Sequence, residues 1–136
     1  MPQRAILARE IAEFLKVLAH PDRVRMVEEL RNGALDVTAL SERLAIPATR
    51  ASQHLALLKA HRIVAERRDG RHHQYSLNDR TLAAWLLDGA RFVQARAAAG
   101  MADLKAIDAA ASLWRDHQSA HGSEAAPNRN NGDNHG

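Results

Sequence analysis

The chain has 136 residues, a length that suits one domain, and it is 46% hydrophobic but only 4% aromatic, which predicts a small aliphatic core in a mainly helical protein. It contains no cysteine, which excludes disulfides, thiolate metal sites and thiol redox sensing together. The net charge is +3 and is unevenly spread: residues 43–71 carry seven basic side chains (Arg43, Arg50, Lys59, Arg62, Arg67, Arg68, Arg71) against Glu66 and Asp69, so that segment is +5 and the remainder −2. Basic charge gathered in one stretch is the footprint of a nucleic-acid surface rather than of a uniformly solvated one.

The first ten residues, MPQRAILARE, hold charges and no apolar run, so no signal peptide is expected; no later run reaches membrane-spanning length, and a cytoplasmic protein is expected. Residues 4–19 predict a first helix, with Ile6, Leu7, Ile11, Phe14, Leu15 and Leu18 at three-to-four spacing. That stripe is wide enough to pack on its own core and on a partner. Pro21 and Asp22 suit the first turn of a second helix over residues 21–31, with Val24, Val27 and Leu30 inward and Met26 near that face. Asn32-Gly33 ends it. Asp36 is a good N-cap for a short third helix over residues 37–44, with Val37, Leu40 and Leu44 buried.

Residues 47–62 (PATRASQHLALLKAHR) predict a fourth helix, whose Ala51, Leu55 and Leu58 make a narrow apolar face. Two short helices across a tight turn make a helix-turn-helix. Thr49, Arg50, Ser52 and Gln53 cluster at the start of the fourth helix, away from the apolar face. Gln53 can read adenine at two points, and Arg50 can read guanine or grip phosphate. After Arg62 the period changes to that of strands. Residues 63–68 and 71–77 flank Asp69-Gly70, a hairpin signal, and a hairpin directly after a helix-turn-helix is a wing. A fifth helix follows Asn78 or Asp79, lined by Leu82, Trp85, Leu86, Ala90 and Val93. Residues 101–118, with Leu104, Ile107, Ala111 and Trp114, either extend it or form a sixth. From residue 122 the composition predicts a disordered tail. The expected organisation is one domain over residues 1–118 and a tail over 119–136.

In this order the chain resembles the ArsR/SmtB family of winged helix-turn-helix repressors. The matching stretches are LAHPDRVRM (residues 18–26), LSERL (40–44), SQHLALLK (52–59), Ile63-Val64, RRDGR (67–71) and Tyr75-Ser76-Leu77, which together span about half the chain. The resemblance implies a homodimer with its first and last helices at the interface. Two recognition helices would then face one pseudo-palindromic operator in double-stranded DNA. The apolar side chains available for that interface are Ile6, Leu7, Ile11, Phe14, Leu82, Trp85, Leu86 and Val93. The chain departs from the family where Ala45 and Pro47 replace the usual Gly and Ser before the recognition helix. Asp36 and Thr38 stand where many relatives have a Cys-x-Cys metal site, and no histidine lies between His73 and His117 to build the family's last-helix site. The resemblance therefore implies DNA binding without the usual inducers, and no metal or cofactor is expected; the alternatives are a metal- or small-molecule-responsive repressor with a non-standard His/Asp site, and a winged-helix protein-interaction module that binds DNA weakly.

The expected DNA contacts are Thr49, Arg50, Ser52, Gln53 and His54 on the fourth helix, and Arg67, Arg68, Arg71, His72 and His73 on the wing. If His72 and His73 face phosphate, mild acid should strengthen binding. His117 and His121 share a helix face, but two imidazoles do not make a metal site and a polar helix end is the plainer reading. The chain has no cysteine nucleophile, phosphate-cradling loop or HExxH, and Ser52 and His54 point apart on their helix, so no enzyme is expected.

Overall fold

The computed structural model describes residues 2–100 and 103–121, except for the side chains of residues 117–121. The expected tail from residue 122 and the side chains of the His117–His121 pair lie outside the described residues. The helices are α1 (Pro2–Leu18), α2 (Pro21–Glu29), α3 (Val37–Leu44), α4 (Ala48–Ala60), α5 (Thr81–Ala98) and α6 (Leu104–His121). A one-turn 3-10 helix, Leu30–Asn32, follows α2, and the strands among the described residues are β1 (Leu35–Asp36), β2 (Val64–Asp69) and β3 (His72–Leu77). The fold is a mainly α winged helix-turn-helix.

Local chemistry sets the boundaries. The His20 side chain caps α2, its Nδ1 accepting from the Asp22 N–H at 3.0 Å, and Asp36 Oδ1 caps α3 by accepting from the Ala39 N–H at 2.7 Å. The turn between α3 and α4 keeps a left-handed residue although glycine is missing: Ala45 ends α3 at φ 55°. The Ser41 hydroxyl donates to the Ile46 carbonyl at 2.7 Å and holds that turn closed. Pro47 occupies the cap position of α4 without a side-chain hydrogen bond, so the helix proper begins at Ala48, one residue later than expected. It stops at Ala60, and Arg62 takes φ 57°.

The wing is the two-stranded hairpin that the sequence predicts, β2 and β3, and the short β1, which the sequence does not predict, joins it in a three-stranded sheet. β1 pairs antiparallel with β3, and the strand order is β1-β3-β2. A two-residue strand offers no alternation to read, and Asp36 serves both as its last residue and as the α3 cap. The hairpin loop is Gly70-Arg71, one residue past the Asp69-Gly70 expected, because Asp69 still pairs with His72 while Gly70 takes the positive φ of 61°. α6 is a separate helix, divided from α5 at Gly100 (φ 82°), and it runs to His121, past the domain edge expected at residue 118. It folds back on α5, where the Gln94 side-chain amide donates to Asp108 at 2.8 Å.

One aliphatic core joins these elements. Met26, Val27 and Leu30 of α2 and its 3-10 turn meet Leu40 of α3 and Ala51, Leu55 and Leu58 of α4, with Val64, Leu77 and Ala83 closing the cluster. Helix α4 is therefore fixed along one face, and its opposite face is free.

Candidate nucleic-acid interface

On α4 the buried positions are Ala51, His54, Leu55 and Leu58, one continuous helical face. Thr49, Arg50, Ser52 and Gln53 are all exposed on the other side of the first turns. At the wing tip Arg67, Arg68, Arg71 and His72 are exposed as well. Two planar side chains that can bond at two points, Arg50 and Gln53, thus stand out from the start of α4, and three guanidinium groups stand out from the hairpin. Such a surface can insert into a major groove and hold the backbone beside it.

The opposite side of α4 is tied down by a polar clamp. His54 is 9% exposed, with Nε2 at 3.2 Å from Asp22 Oδ2 and Nδ1 at 3.3 Å from a terminal nitrogen of Arg23. A guanidinium only donates, so Nδ1 is the acceptor, and the ring proton of the neutral imidazole sits on Nε2 and goes to Asp22. Arg23 Nε also donates to the Val17 carbonyl at the end of α1. Burial pushes the His54 imidazole below its ordinary value of 6.5, helped by the cationic Arg23 and by His20, while the Asp22 hydrogen bond pulls the other way.

A second tie joins the wing to the end of α4. Glu66 of β2 accepts from Lys59 Nζ at 2.7 Å and from His73 Nδ1 of β3. The hydrogen bonds from Lys59 and His73 hold the Glu66 carboxyl at about 2. Opposite Glu66 in the register stands Tyr75, whose phenol burial pushes above its usual value.

Comparison with known proteins is consistent with this geometry. The model for bacterial regulatory proteins of the ArsR family matches residues 20–66, from the His20 cap to Glu66. Among curated proteins the HTH-type transcriptional regulator NmtR of Mycobacterium tuberculosis is 36% identical over 96 residues, which cover 71% of this chain and 79% of NmtR. This chain belongs to the ArsR family. The HTH-type transcriptional repressor SmtB of Mycobacterium tuberculosis is 40% identical over 87 residues, and the match spans 64% of each chain. Among solved structures, NolR from Sinorhizobium fredii superimposes with a TM-score of 0.61 at 27% identity, covering 68% of this chain and 92% of that one. As an ArsR-family member the protein is a DNA-binding transcriptional regulator and not an enzyme. No helix among the described residues is long and apolar enough to cross a membrane.

Two expected DNA contacts in this ArsR-family chain sit differently from the rest. His54 is turned inward, because position 54 falls on the same face as Ala51, Leu55 and Leu58. His73 is half-buried and donates to Glu66, which leaves His72 as the exposed histidine of the wing. Sequence reading missed the partners, Asp22, Arg23 and Glu66. Asp22 and Arg23 lie in the LAHPDR stretch and passed as a helix start, and Glu66 has a role only once the hairpin register is known.

His20, Asp22 and His54 bring three ligand atoms within 4.8 Å of one another, a set that could suit a divalent cation. The surroundings do not fit one. Binding through His54 Nε2 would move the ring proton to Nδ1, where the Arg23 guanidinium already points a donor, whereas a metal-bound imidazole needs an acceptor there. His20 Nδ1 is also already used by the α2 cap. The cluster is a clamp.

Ile6, Leu7, Ile11 and Leu15 of α1 and Trp85, Phe92 and Val93 of α5 are exposed. Phe14 meets Trp85 with ring centroids 6.2 Å apart and so joins the two helices. Phe14, Leu82 and Leu86, expected at a dimer interface, are partly buried against the protomer's own core. Phe92 was not foreseen, although its place seven residues after Trp85 puts it on the same helical side.

Proposed function

We propose that the protein is a homodimeric repressor that binds a pseudo-palindromic operator. Thr49, Arg50, Ser52 and Gln53 read the major groove, and Arg67, Arg68, Arg71 and His72 hold the flanking backbone or minor groove. His54 positions α4 and His73 positions the wing; neither takes part in the DNA contact. Residues 1–118 carry DNA binding and dimerisation, and the protein works in the cytoplasm. The observation that carries this reading is the division of α4: four aliphatic or clamped positions are buried, and four hydrogen-bonding side chains stand clear at its start.

The test is selection of bound duplexes from a random pool, followed by a gel shift on the promoter of the protein's own gene. The expected product is an inverted repeat with half-sites separated by about one helical turn, roughly 10 bp, or a multiple. A pool that enriches no symmetric site overturns the reading.

A further inference from the structure

Helix α1 is held by one end. Over residues 2–16 every residue except Phe14 is exposed, and burial begins only at Val17 and Leu18 in the last turn. Arg23, in the first turn of α2, ties that end to the recognition helix. Its Nε–H donates to the Val17 carbonyl, and a terminal N–H of the same guanidinium meets His54 Nδ1 of α4 at 3.3 Å. His20, between α1 and α2, adds a packing contact, its ring centroid 4.5 Å from that of His54. The guanidinium is planar and its donors are fixed relative to one another, so the two bonds set an angle between α1 and α4 and not merely a contact.

That angle matters because α1 is long. Its 17 residues span about 25 Å, so a swing of about 10° about the held end carries the other by about 4 Å, more than the ~3.4 Å rise of one base pair. Phe14 against Trp85 joins α1 to α5 on the apolar surface, while Arg23 joins it to the reading helix. In a dimer made through α1 and α5, each α4 is therefore placed through this joint.

We propose that Arg23 is a positioning residue for operator recognition: by bonding the end of α1 and His54 of α4 at once, it fixes the separation of the two α4 helices and so the half-site spacing that the dimer accepts. The proposal rests on the dimer and DNA readings above.

The chain has no cysteine, so Ala60→Cys gives each protomer one nitroxide label at the exposed end of α4. Pulsed electron resonance on the full chain, without DNA, then reads the distance between the two α4 helices. The wild type should give one narrow distance. Arg23→Lys keeps the charge but has a single nitrogen to place, and should give a distribution roughly twofold broader. His54→Leu leaves Arg23 on Val17, suits the aliphatic face of α4 and cuts the bridge at its other end, so it should broaden the distance in the same way. Equal widths in the wild type and a folded, dimeric Arg23→Lys overturn the proposal, as does a wild-type distance that is already broad. Should Arg23→Lys fail to fold or to dimerise, His54→Leu decides by the same measure; failure of both makes the bridge a matter of stability and overturns the proposal too. A wild type that sediments as a monomer removes the dimer reading and this proposal with it.

A gel shift carries the comparison to DNA. The wild type should bind an inverted repeat at the selected half-site spacing about tenfold more tightly than repeats with one base pair more or fewer, since a rigid dimer must twist or bend the wrong spacing to fit. Arg23→Lys should bind all three within about threefold, and a single half-site as the wild type does. A wild-type preference kept by Arg23→Lys overturns the spacing claim even where the label distance broadens. Failure of the wild type to retard any specific duplex counts against the DNA reading instead and leaves the label distance to decide on Arg23.

Discussion

At the level of single residues, the Asp22–His54–Arg23 clamp gives predictions whose sign separates it from simple charge effects. Asp22 is an acid near a DNA-facing helix, so Coulomb's law alone says that Asp22→Ala should tighten DNA binding. The clamp says the reverse: without Asp22, the His54 N–H is buried without an acceptor and α4 loses its hold. Removing one partner of a buried hydrogen bond costs about 1–3 kcal/mol of stability, and the operator gel shift should show weaker binding. Double-mutant cycles pairing Asp22→Ala with His54→Ala should show a coupling of about 0.5–3 kcal/mol, as for side chains in contact. Because burial lowers the His54 value below 6.5, the unfolded chain takes up this proton first on acidification. The stability that neutral His54 provides is therefore complete above about 6.5 and is lost as pH falls below it; a melting series should show that slope in the wild type and a shallower one in His54→Gln. Ala45 is a separate case. Its left-handed backbone costs about 1–2 kcal/mol for a residue with a Cβ, while glycine adds about 0.4–1 kcal/mol of unfolded-state entropy. Ala45 is exposed and loses no packing, so relief of strain wins, and Ala45→Gly should raise the melting temperature by a few degrees.

The elements show where a tie can be tested through one carboxyl. Lys59 at the end of α4 and His73 of β3 both bond Glu66 of β2, so the wing angle is set against the recognition helix by a group held at about 2. A carboxylate lowered from 4.5 contributes stability that is fully present above that value and is lost as pH falls toward 2. Following the Glu66 side-chain carbon by NMR should give a midpoint near 2 in the wild type, and Lys59→Ala should bring it back toward 4.5. An unchanged midpoint in that variant would mean that the α4-to-wing tie is not made in solution. The same elements explain what the sequence could disclose. The bounds of α3 were legible because Asp36 caps it and Val37, Leu40 and Leu44 mark its face. The recognition face was legible because small and aliphatic residues recur on α4. β1 was not, since two residues carry no period, and Glu66 was not, since its partners come from one helix and one strand brought together by register. His54 stood between: it lies three residues after Ala51 and one before Leu55, which is enough to place it inward, but its polarity suggested the opposite.

For the whole molecule, the apolar surface of α1 and α5 decides how many copies act. Ile6, Leu7, Ile11 and Leu15 on α1, with Trp85, Phe92 and Val93 on α5, are each 45% exposed or more, and Phe14 and Trp85 bring the two helices together. A folded monomer rarely leaves so much contiguous apolar surface in water, and a two-fold partner would cover it while turning two α4 helices to one side of a duplex. Leu7→Glu and Phe92→Glu place charges on that surface and leave the core untouched, so sedimentation should show monomers that keep the wild-type helix content. Salt dependence then counts the DNA contacts. Each phosphate contact adds about 0.9 to the slope of log affinity against log salt, so Arg71→Ala, present once in each protomer, should lower the dimer's slope by about 1.8 if Arg71 meets phosphate. The monomeric variants should bind the operator with about half the wild-type slope. If they keep the full slope, one chain supplies all the phosphate contacts and the two-fold reading fails; if Arg71→Ala leaves the slope unchanged in a protein that is still dimeric, the wing does not reach the backbone.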